Sequence, residues 1–399
     1  MKRVLIVIYD MRIGGAQKSL LSFLQTLAQD ERCSKYQIDL MPFNPTGEFL
    51  LQIPEGINIK QPPRILRWMG TKMSKDLLFR HFSLSGFLGE CMWVLRKKLR
   101  LLYEHGNVQQ KLWQVWHTFI PVLKDEYDVA ISYIDGTASY YVMDKVNAGK
   151  KVLWLHTDYQ KMGYDAGLDA RFFRECDAIA TISAECREVL RSVLPELGEK
   201  IHVIENITSA DTVTAMALEG SCPEYPAEPC LRLLTVGRLH HLKGLDMAVD
   251  AAKALRDAGI AFRWLVVGEG GERKVLEEQI HVSGLDSCFC LIGSRNNPYQ
   301  YMRECDILVQ TSRCEGKSIV LDEAKILGKP IVVTSYPTVY DAVEHEETGL
   351  IVDMNVDSIC QGILRMATDD ALRKRIVSNL QKIPKGNEKE LSRYIDIMF

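Results

Sequence analysis

Short apolar runs that end at turn residues recur along the whole chain, and each has the length of a buried β-strand. Segments with helical spacing lie between them; Leu245, Val249, Ala252 and Leu255, for example, share one helix face. Strands that alternate with helices predict parallel α/β sheets. The strands predicted in the first half span residues 4–8, 36–42, 127–133, 152–156, 178–183 and 202–205. Those predicted in the second half span residues 232–236, 262–267, 289–292, 306–310 and 330–334.

The chain divides into two predicted domains. Its 399 residues exceed what one hydrophobic core normally supports. The alternation of strands and helices lapses in residues 209–230, a polar stretch with several Gly and Pro residues, which mark loops and linkers. We therefore assign residues 1–208 to a first domain, residues 209–230 to a linker and residues 231–386 to a second domain.

Residues 60–124 interrupt the first domain with a basic, helical segment. They contain twelve Lys or Arg against three Asp or Glu, a net charge of +9, so the rest of the chain carries −12. Aromatic side chains such as Trp68, Phe79 and Trp93 are interleaved with these cations. This pattern is typical of helices that lie on an anionic membrane surface. Core-facing helices with a solvated basic side are the alternative, as is nucleic-acid binding, for which no accompanying motif is visible.

The composition is that of a soluble globular protein, with 47% apolar and 25% charged residues. The opening apolar run is too short for a secretion signal, and no run approaches the ~18 apolar residues that a membrane span requires. The eleven cysteines are scattered and show no zinc or Cys-x-x-Cys spacing, so we expect reduced thiols in a cytoplasmic protein. We expect any contact with a membrane to be peripheral.

Two glutamates, Glu315 and Glu323, lie eight residues apart across the junction of a predicted loop and helix. Gly316 allows a sharp turn, and Ser318 begins a segment with helical spacing. We therefore expect Glu315 in the loop and Glu323 about one turn into the helix. Two carboxylates in these places could grip an elongated ligand at two points.

A helix N-terminus is predicted between these glutamates, where free N–H groups and the helix dipole favour an anion such as a phosphate. The segment could therefore hold a nucleotide diphosphate centrally, with one carboxylate at a sugar and the other at a ribose. In the alternative, Glu323 only stabilises its own helix and Glu315 is a solvated loop charge.

Arg238 and Lys243 flank the turn that follows the strand at residues 232–236. An Arg offers a planar fork of donors and a Lys a compact charge, and together they suit the two phosphates of a diphosphate leaving group. Two surface cations in a loop are the alternative.

Two further candidates lie in the first domain. Gly14 and Gly15 form a turn between a strand and a helix, where the backbone can approach a ligand closely, although the Gly-x-Gly-x-x-Gly fingerprint is not met. His156 closes a predicted strand, and ligands usually bind at the carboxyl ends of such strands in open α/β sheets. A structural histidine is the alternative reading of His156.

In combination these motifs resemble the retaining glycosyltransferases of family 4, which have the GT-B fold. The resemblance is dense over residues 231–352 and thin over the first half. Lys317 departs from the family, since many members carry an apolar or aromatic residue there, and residues 206–208 depart from a common Asn-Gly pattern. The residues that carry the resemblance are Gly14-Gly15-Ala16, Val236-Gly237-Arg238-Leu239, Lys243-Gly244, Val267-Gly268-Glu269-Gly270, Glu315-Gly316 through Glu323-Ala324, and Gly328-Lys329-Pro330.

This resemblance implies two Rossmann-like parallel-sheet domains that face each other across a cleft, with residues 387–399 crossing back to the first domain. The first domain would bind the acceptor and the second the nucleotide sugar. The implied catalytic residues are Glu315, His156, Arg238 and Lys243. The implied donor-binding residues are Gly14, Gly15, Arg238, Lys243, Glu315, Gly316, Lys317, Ser318, Ile319 and Glu323.

The implied reaction transfers a sugar from a nucleoside diphosphate sugar, with uridine diphosphate sugars as the expected donors, to a glycan or lipid-linked acceptor. No Asp-x-Asp pair occurs in the chain, so we expect neither a metal nor another cofactor. No nucleic-acid partner is expected. A nucleotide-sugar epimerase with the same fold, or a non-catalytic membrane-associated protein that binds the nucleotide sugar, are the alternative functions.

Overall fold

The computed structural model describes residues 1–70 and 107–399. It shows the basic segment only at its two ends, so the pattern predicted to contact a membrane lies mainly outside the described residues. Within the described ranges, no helix combines the length and the apolar character needed to cross a bilayer.

Among the described residues, the first sheet contains seven parallel strands, and all six strands predicted for the first half are present in it. Both faces of a parallel sheet are covered, which is why an interior strand is buried continuously from Val4 to Ile8. The strands are Lys2–Ile8 (β1), Tyr36–Pro42 (β2), Asn58–Ile59 (β3), Glu126–Ser132 (β4), Asn147–Leu155 (β5), Ala178–Thr181 (β6) and Ile201–Val203 (β7). Their order is β3-β2-β1-β4-β5-β6-β7. The two-residue strand β3 was not predicted because it is too short to carry a pattern.

The second sheet has six parallel strands and confirms a second Rossmann-like unit. The strands are Leu231–Val236 (β8), Phe262–Val267 (β9), Phe289–Gly293 (β10), Ile307–Gln310 (β11), Ile331–Thr334 (β12) and Leu350–Val352 (β13). Their order is β10-β9-β8-β11-β12-β13. Only β13 was not predicted. The switch from β8 to β11 at the centre places the carboxyl ends of these two strands side by side.

Helices and short 3₁₀ turns connect the strands. The α-helices are Gly15–Gln29 (α1), Arg64–Gly70 (α2), Val108–Trp116 (α3), Thr137–Lys145 (α4), Ala166–Glu175 (α5), Ala184–Val193 (α6), Ala210–Ala217 (α7), Leu245–Asp257 (α8), Arg273–Val282 (α9), Tyr299–Glu304 (α10), Ile319–Ile326 (α11), Val356–Thr368 (α12), Asp370–Lys382 (α13) and Glu390–Met398 (α14). The 3₁₀ turns are Glu31–Lys35, Glu48–Gln52, His117–Phe119, Pro195–Lys200, His241–Lys243 and Pro337–Asp341.

The chain forms two compact units, each with its own sheet and core. The first comprises Met1–Arg12, Ala16–Glu205 and Leu391–Phe399, so the end of the chain belongs to it. The second comprises Ile13–Gly15 and Asn206–Glu390.

The segment predicted as a linker, residues 209–230, contains the ordered helix α7. Ser209 accepts a hydrogen bond from the Thr212 N–H at 3.3 Å and so caps this helix. The buried side chains of Val213 and Ala217, four residues apart, pack in a cluster with those of Tyr299 and Ile326. This apolar face, which is too short to stand out in a polar stretch, attaches the segment to the second unit.

Asn387 joins the two places where the chain passes from one unit to the other. Its Oδ1 accepts from the Thr208 N–H at 2.8 Å, and its Nδ2 donates to the Asn206 carbonyl at 2.9 Å. Glu388 adds a hydrogen bond from the Ala210 N–H at 2.8 Å. The two crossings are therefore held together by side chains that the resemblance did not single out.

Gly47 supports the loop that follows β1. It has a φ of +129°, and a Cβ built on it would lie 2.1 Å from the carbonyl carbon of Met11. Gly56 also has a positive φ, of +89°, but a Cβ there would meet no atom within 4 Å. The two glycines therefore share backbone strain and differ in available space.

We predict that Gly47→Ala lowers the free energy of unfolding by more than about 3 kcal/mol, since strain and a backbone clash act together. Gly56→Ala should cost only about 1–2 kcal/mol, the strain alone. Urea unfolding followed by circular dichroism measures both values. Equal losses in the two variants would contradict the packing described for Gly47.

Candidate functional site

The Glu315 carboxylate lies in the loop between β11 and α11 and is held by three donors. Its Oε1 accepts from Lys243 Nζ at 2.5 Å, from Ser312 Oγ at 2.5 Å and from Gln310 Nε2 at 3.1 Å. The Glu315 side chain is only 12% exposed, so it is not the solvated loop charge of the alternative interpretation. None of these three bonds uses Oε2, which leaves that oxygen to other donors.

Gln310, the last residue of β11, connects this carboxylate to the start of α11. Its Oε1 accepts from Ser318 Oγ at 2.8 Å, while its Nε2 donates toward Glu315. The Gln310 side chain is buried, where a hydrogen-bonded amide is stable and an unpaired one is costly. Gln310 was not predicted as a site residue, although a polar residue at the end of a buried strand is a sequence signal for such a role.

Lys243 ends the 3₁₀ turn after β8, and the residues around it fix its position. Gly244 follows with a φ of +61°, and a Cβ there would lie 2.1 Å from the Thr311 carbonyl oxygen. Thr311 Oγ1 donates to the Lys243 carbonyl at 3.1 Å. The loops after β8 and β11 are therefore in direct backbone contact, because a residue without a side chain separates them.

A second ion pair joins the same two loops. Arg313 donates to both carboxylate oxygens of Asp246, at 2.7 and 2.6 Å, and to the His241 carbonyl at 2.8 Å. These bonds from Arg313 are the main reason that the pKa of Asp246 is lowered. Nothing in the local sequence pairs two residues 67 positions apart, so this contact was not predictable.

Arg238 lies two residues beyond the end of β8 and its side chain is exposed. In the part of the chain that the structure describes, Arg238 forms no ion pair. Its charge is therefore not neutralised by those neighbours, unlike that of Lys243. The structure places both predicted cations on one connection and brings only Lys243 into contact with Glu315.

Helix α11 begins at Ile319, directly after the Glu315 loop. Ser318 is its N-cap residue, but the Ser318 hydroxyl bonds Gln310 and does not cap the helix. The N–H groups of Ile319 and Val320 precede the hydrogen-bond ladder of the helix. Uncapped N–H groups and the helix dipole together favour an anion at this position.

Gly316 and Lys317 complete the loop. Gly316 makes its turn without a positive φ, so the special freedom expected of it is not used. The Lys317 ammonium lies 3.9 Å from Asp322, a first-turn residue of α11 that also pairs with Lys325 at 2.8 Å. The departure of Lys317 from the family pattern is thus accompanied by an acidic neighbour.

Glu323 is the fifth residue of α11, one turn into the helix as predicted, and its side chain is fully buried. Its Oε1 accepts from the Tyr299 hydroxyl at 3.1 Å. Tyr299 belongs to the cluster that anchors α7. Glu323 is therefore held by Tyr299 of α10, a helix that packs against α7. This partner of Glu323 was not predicted.

His156 follows β5 in the first unit. Its ring centroid lies 5.0 Å from that of Tyr133. Burial lowers the pKa of His156 to about 3, so the imidazole is neutral at ordinary pH. Its Nε2 is buried and meets no hydrogen-bond partner among the described residues. A neutral imidazole nitrogen in this state can still bond a ligand hydroxyl.

The turn around His156 is held by Asp135, which follows β4. Its carboxylate accepts from Thr157 Oγ1 at 2.6 Å, from the Tyr164 hydroxyl at 3.2 Å and from the His156 backbone N–H. Burial of this carboxyl group raises its pKa, and the hydrogen bonds oppose that rise.

Gly14 precedes helix α1 and Gly15 begins it. Gly15 does not have a positive φ, and a Cβ built on it would meet no atom within 4 Å. The fold itself therefore does not require glycine at position 15. The loop before it is held by Asp10, which accepts from Arg12 Nε at 2.7 Å and from Gln17 Nε2 at 3.1 Å.

The site of the second unit thus combines a fixed carboxylate, a paired lysine, an exposed arginine and an uncapped helix start. Among the described residues no three His, Cys, Asp or Glu side chains are grouped as metal ligands.

Comparison with known proteins identifies a matching family model and similar folds. Residues 227–383 match the family model described as Glycosyl transferases group 1. An amylovoran biosynthesis glycosyltransferase, AmsK of Erwinia amylovora, is 28% identical over 35% of this chain and 37% of its own length. The N-acetylgalactosamine-N,N'-diacetylbacillosaminyl-diphospho-undecaprenol 4-alpha-N-acetylgalactosaminyltransferase of Campylobacter jejuni is 32% identical over 36% of this chain and 39% of its own length. The alignments thus span under two fifths of these relatives.

The alpha-D-kanosaminyltransferase of Streptomyces kanamyceticus aligns over more of its length, with 23% identity over 74% of this chain and 77% of the relative. Among solved structures, Anabaena HepE in complex with UDP-glucose superposes with a TM-score of 0.68 at 17% identity, covering 99% of this chain and 98% of HepE. This likeness establishes the fold. Residues 227–383 therefore match the Glycosyl transferases group 1 family, within a chain that has the GT-B fold of two Rossmann-like parallel sheets.

Proposed function

We propose that this chain is a retaining glycosyltransferase that moves a sugar from a nucleoside diphosphate sugar to a glycan or lipid-linked acceptor. The observation that carries the proposal is the 2.5 Å pair of Lys243 and Glu315 beside the uncapped start of α11. A cation, an anion-binding helix end and a fixed carboxylate are what a sugar joined to a diphosphate requires. The match of residues 227–383 supports the same reading.

The diphosphate is assigned to the cationic side of this site. A lysine ammonium has three N–H donors, and the bond to Glu315 uses one of them, so two are left for phosphate oxygens. Arg238 is exposed and adds a planar fork of donors. Cleavage of the anomeric bond leaves negative charge on the departing diphosphate. Fixed cations and helix N–H groups that already point to this charge lower the barrier without having to reorganise.

The transferred sugar is assigned to Glu315. Three donors hold its Oε1, so the carboxylate cannot swing away when a ligand enters. Its Oε2 is the oxygen that those bonds leave for a sugar hydroxyl. We assign His156 as a second hydrogen-bond partner of the sugar, since its neutral Nε2 has none among the described residues. Glu323, held by Tyr299, is assigned to the ribose.

Retention follows in this proposal from a displacement on one face of the sugar. The reaction passes through an oxocarbenium-like state, the acceptor oxygen attacks from the side that the diphosphate leaves, and a phosphate oxygen takes the acceptor's proton. This route needs no carboxylate nucleophile. It also needs no metal, because Lys243 and Arg238 supply the positive charge.

The names of similar proteins support the choice of substrates. Anabaena HepE was solved with UDP and with UDP-glucose, so we propose a UDP-sugar donor. The Campylobacter jejuni relative is named for a diphospho-undecaprenol-linked glycan, which supports a lipid-linked acceptor here. The basic composition of residues 60–124 would suit the anionic membrane that carries such an acceptor.

The test is release of nucleoside diphosphate from a panel of nucleotide sugars, with and without lipid-linked acceptors, in buffer containing a metal chelator. We expect release from one donor by the wild-type chain. Glu315→Gln should lower kcat by about 10²–10³-fold, since it removes the charge that faces Lys243 and the sugar. Circular dichroism should show an unchanged fold.

Glu277→Gln is the matched control, because Glu277 is also a salt-bridged glutamate of the second unit but lies exposed on α9. Its kcat should equal that of the wild type. Near-normal turnover in folded Glu315→Gln would contradict the assignment of Glu315 to the transferred sugar. Conversion of the nucleotide sugar without any acceptor would favour an epimerase.

Arg238→Ala tests the proposed stabilisation of the leaving group. Because Arg238 is exposed, the unfolding free energy should change by no more than about 0.5 kcal/mol. We expect kcat to fall by about 10²-fold, as is typical for loss of one donor to a developing charge. Arg187→Ala, an exposed arginine of α6 paired with its neighbour Glu188, is the control. A fall in kcat of the same size for both variants would contradict the role of Arg238.

Gly15→Ala tests close approach of the donor to the start of α1. The fold has room for the added methyl group, so the variant should be as stable as the wild type or up to about 1 kcal/mol more stable. Its KM for the donor should rise at least about tenfold if phosphate oxygens approach this backbone. Gly271→Ala, which also meets no atom within 4 Å, should leave KM unchanged. An unaltered KM in Gly15→Ala means that no ligand approaches residue 15.

A further inference from the structure

The C-terminal helix α14 inserts an aromatic ring into the core beneath His156. Tyr394 stacks on Phe23 of α1 with a centroid distance of 4.7 Å and on Trp154 of β5 at 4.6 Å. Tyr133, which follows β4, stacks on Trp154 at 5.0 Å. All four side chains are at most 1% exposed. They form a dry layer of packed rings within the first unit.

The hydroxyl groups in this layer form a chain. Tyr133 Oη lies 2.9 Å from Ser19 Oγ of α1 and 3.1 Å from Tyr394 Oη of α14. In a dry core each such bond is strong, and loss of one partner leaves a buried hydroxyl with an unmet bond. The plane of the Tyr133 ring is therefore fixed at its far end by two helices that are distant in sequence.

The other end of this layer is His156. Its ring lies 5.0 Å from the Tyr133 ring, and the two planes are inclined by 42°. Trp154 lies in β5 and His156 follows directly after the end of this strand, and the Tyr133 ring contacts both side chains. Asp135 holds the backbone N–H of His156 from the same β4 loop. The His156 ring thus packs against the Tyr133 ring, and the Tyr133 hydroxyl forms a hydrogen bond with the Tyr394 hydroxyl.

We propose that Tyr133 and Tyr394 are positioning residues for His156, so that the last helix of the chain sets the orientation of the imidazole that meets the sugar. The effect on turnover rests on the proposed function. The effect on the imidazole itself does not depend on any activity. This separation allows the two ideas to fail independently.

Tyr394→Leu and Phe399→Leu form a matched pair of variants. Phe399 ends the same segment and stacks on Tyr36 with a centroid distance of 4.5 Å, and the Lys2 ammonium lies 4.5 Å from the centroid of the Phe399 ring. Both substitutions remove a ring by which the C-terminal segment stacks on the rest of the first unit. Only Tyr394 touches the layer that supports His156. A general effect of loosening the segment should therefore appear in both variants.

The first readout is the NMR signal of the His156 ring, assigned by its disappearance in His156→Gln. We expect the Hε1 and Hδ2 resonances of His156 to shift in Tyr394→Leu and to stay in place in Phe399→Leu. Tyr394→Phe keeps the ring stacking and removes only the hydroxyl, so it should restore most of the wild-type shift. Unmoved His156 resonances in a folded Tyr394→Leu chain would overturn the proposal.

The second readout is turnover. Tyr394→Leu should lower kcat by about tenfold with little change in the donor KM, since a misplaced catalytic contact acts on the reacting state. In a His156→Gln background the same substitution should have no further effect on kcat. An equal loss in both backgrounds would show that Tyr394 acts elsewhere. If the wild-type chain transfers no sugar at all, the proposed function fails, and the NMR comparison alone decides the positioning.

Discussion

A carboxylate removed from water must be paired, and in this protein that requirement organises the site. Glu315 is mostly buried, so its charge is stable only because Lys243, Ser312 and Gln310 converge on one of its oxygens. These partners come from two strands of the second sheet that are adjacent in space and distant in sequence. The carboxylate therefore fixes both loops, and the loops in turn present the other cation and the start of α11. Removing the lysine would leave an uncompensated negative charge, so Lys243 also stabilises the local structure.

The parallel sheet explains why these groups meet. Every strand of such a sheet ends at the same edge, and the loops after β8 and β11 are neighbours because these strands pair at the centre. Gly244 lets the two loops touch, since any side chain there would collide with the Thr311 carbonyl. The Arg313–Asp246 pair repeats the connection at the outer side of the loops. Two ion pairs and one glycine thus hold the loops after β8 and β11 in a fixed arrangement.

The sequence reveals what is local and misses what is distant. Apolar runs predicted every described strand except β3 and β13, because a strand buried on both faces reads as an uninterrupted pattern. The positions of Glu315 and Glu323 relative to a helix start were predictable from Gly316, Ser318 and the helical spacing of the residues that follow. Gln310 was overlooked although a polar residue at the end of a buried strand is a local signal. The partner Tyr299 and helix α7 were not predictable, since each is recognised only by a contact between residues distant in sequence. Arg238 and Lys243 were predicted as a pair from the turn that they flank, and the structure distinguishes the paired lysine from the exposed arginine.

In the proposed reaction, the diphosphate and the sugar require surroundings of different charge. In the proposed reaction negative charge would appear on the leaving diphosphate, so cations and helix N–H groups would belong on that side. A charged group at the sugar would oppose an oxocarbenium-like state if it were positive. Burial keeps His156 neutral because it lowers the imidazole pKa to about 3. The unfolded chain takes up the proton below about pH 6.5, whereas the folded chain does not until the pH is near 3, so His156 costs stability as the pH falls through that window. Burial thus keeps the imidazole in the state that the proposed reaction would need, at the expense of acid stability.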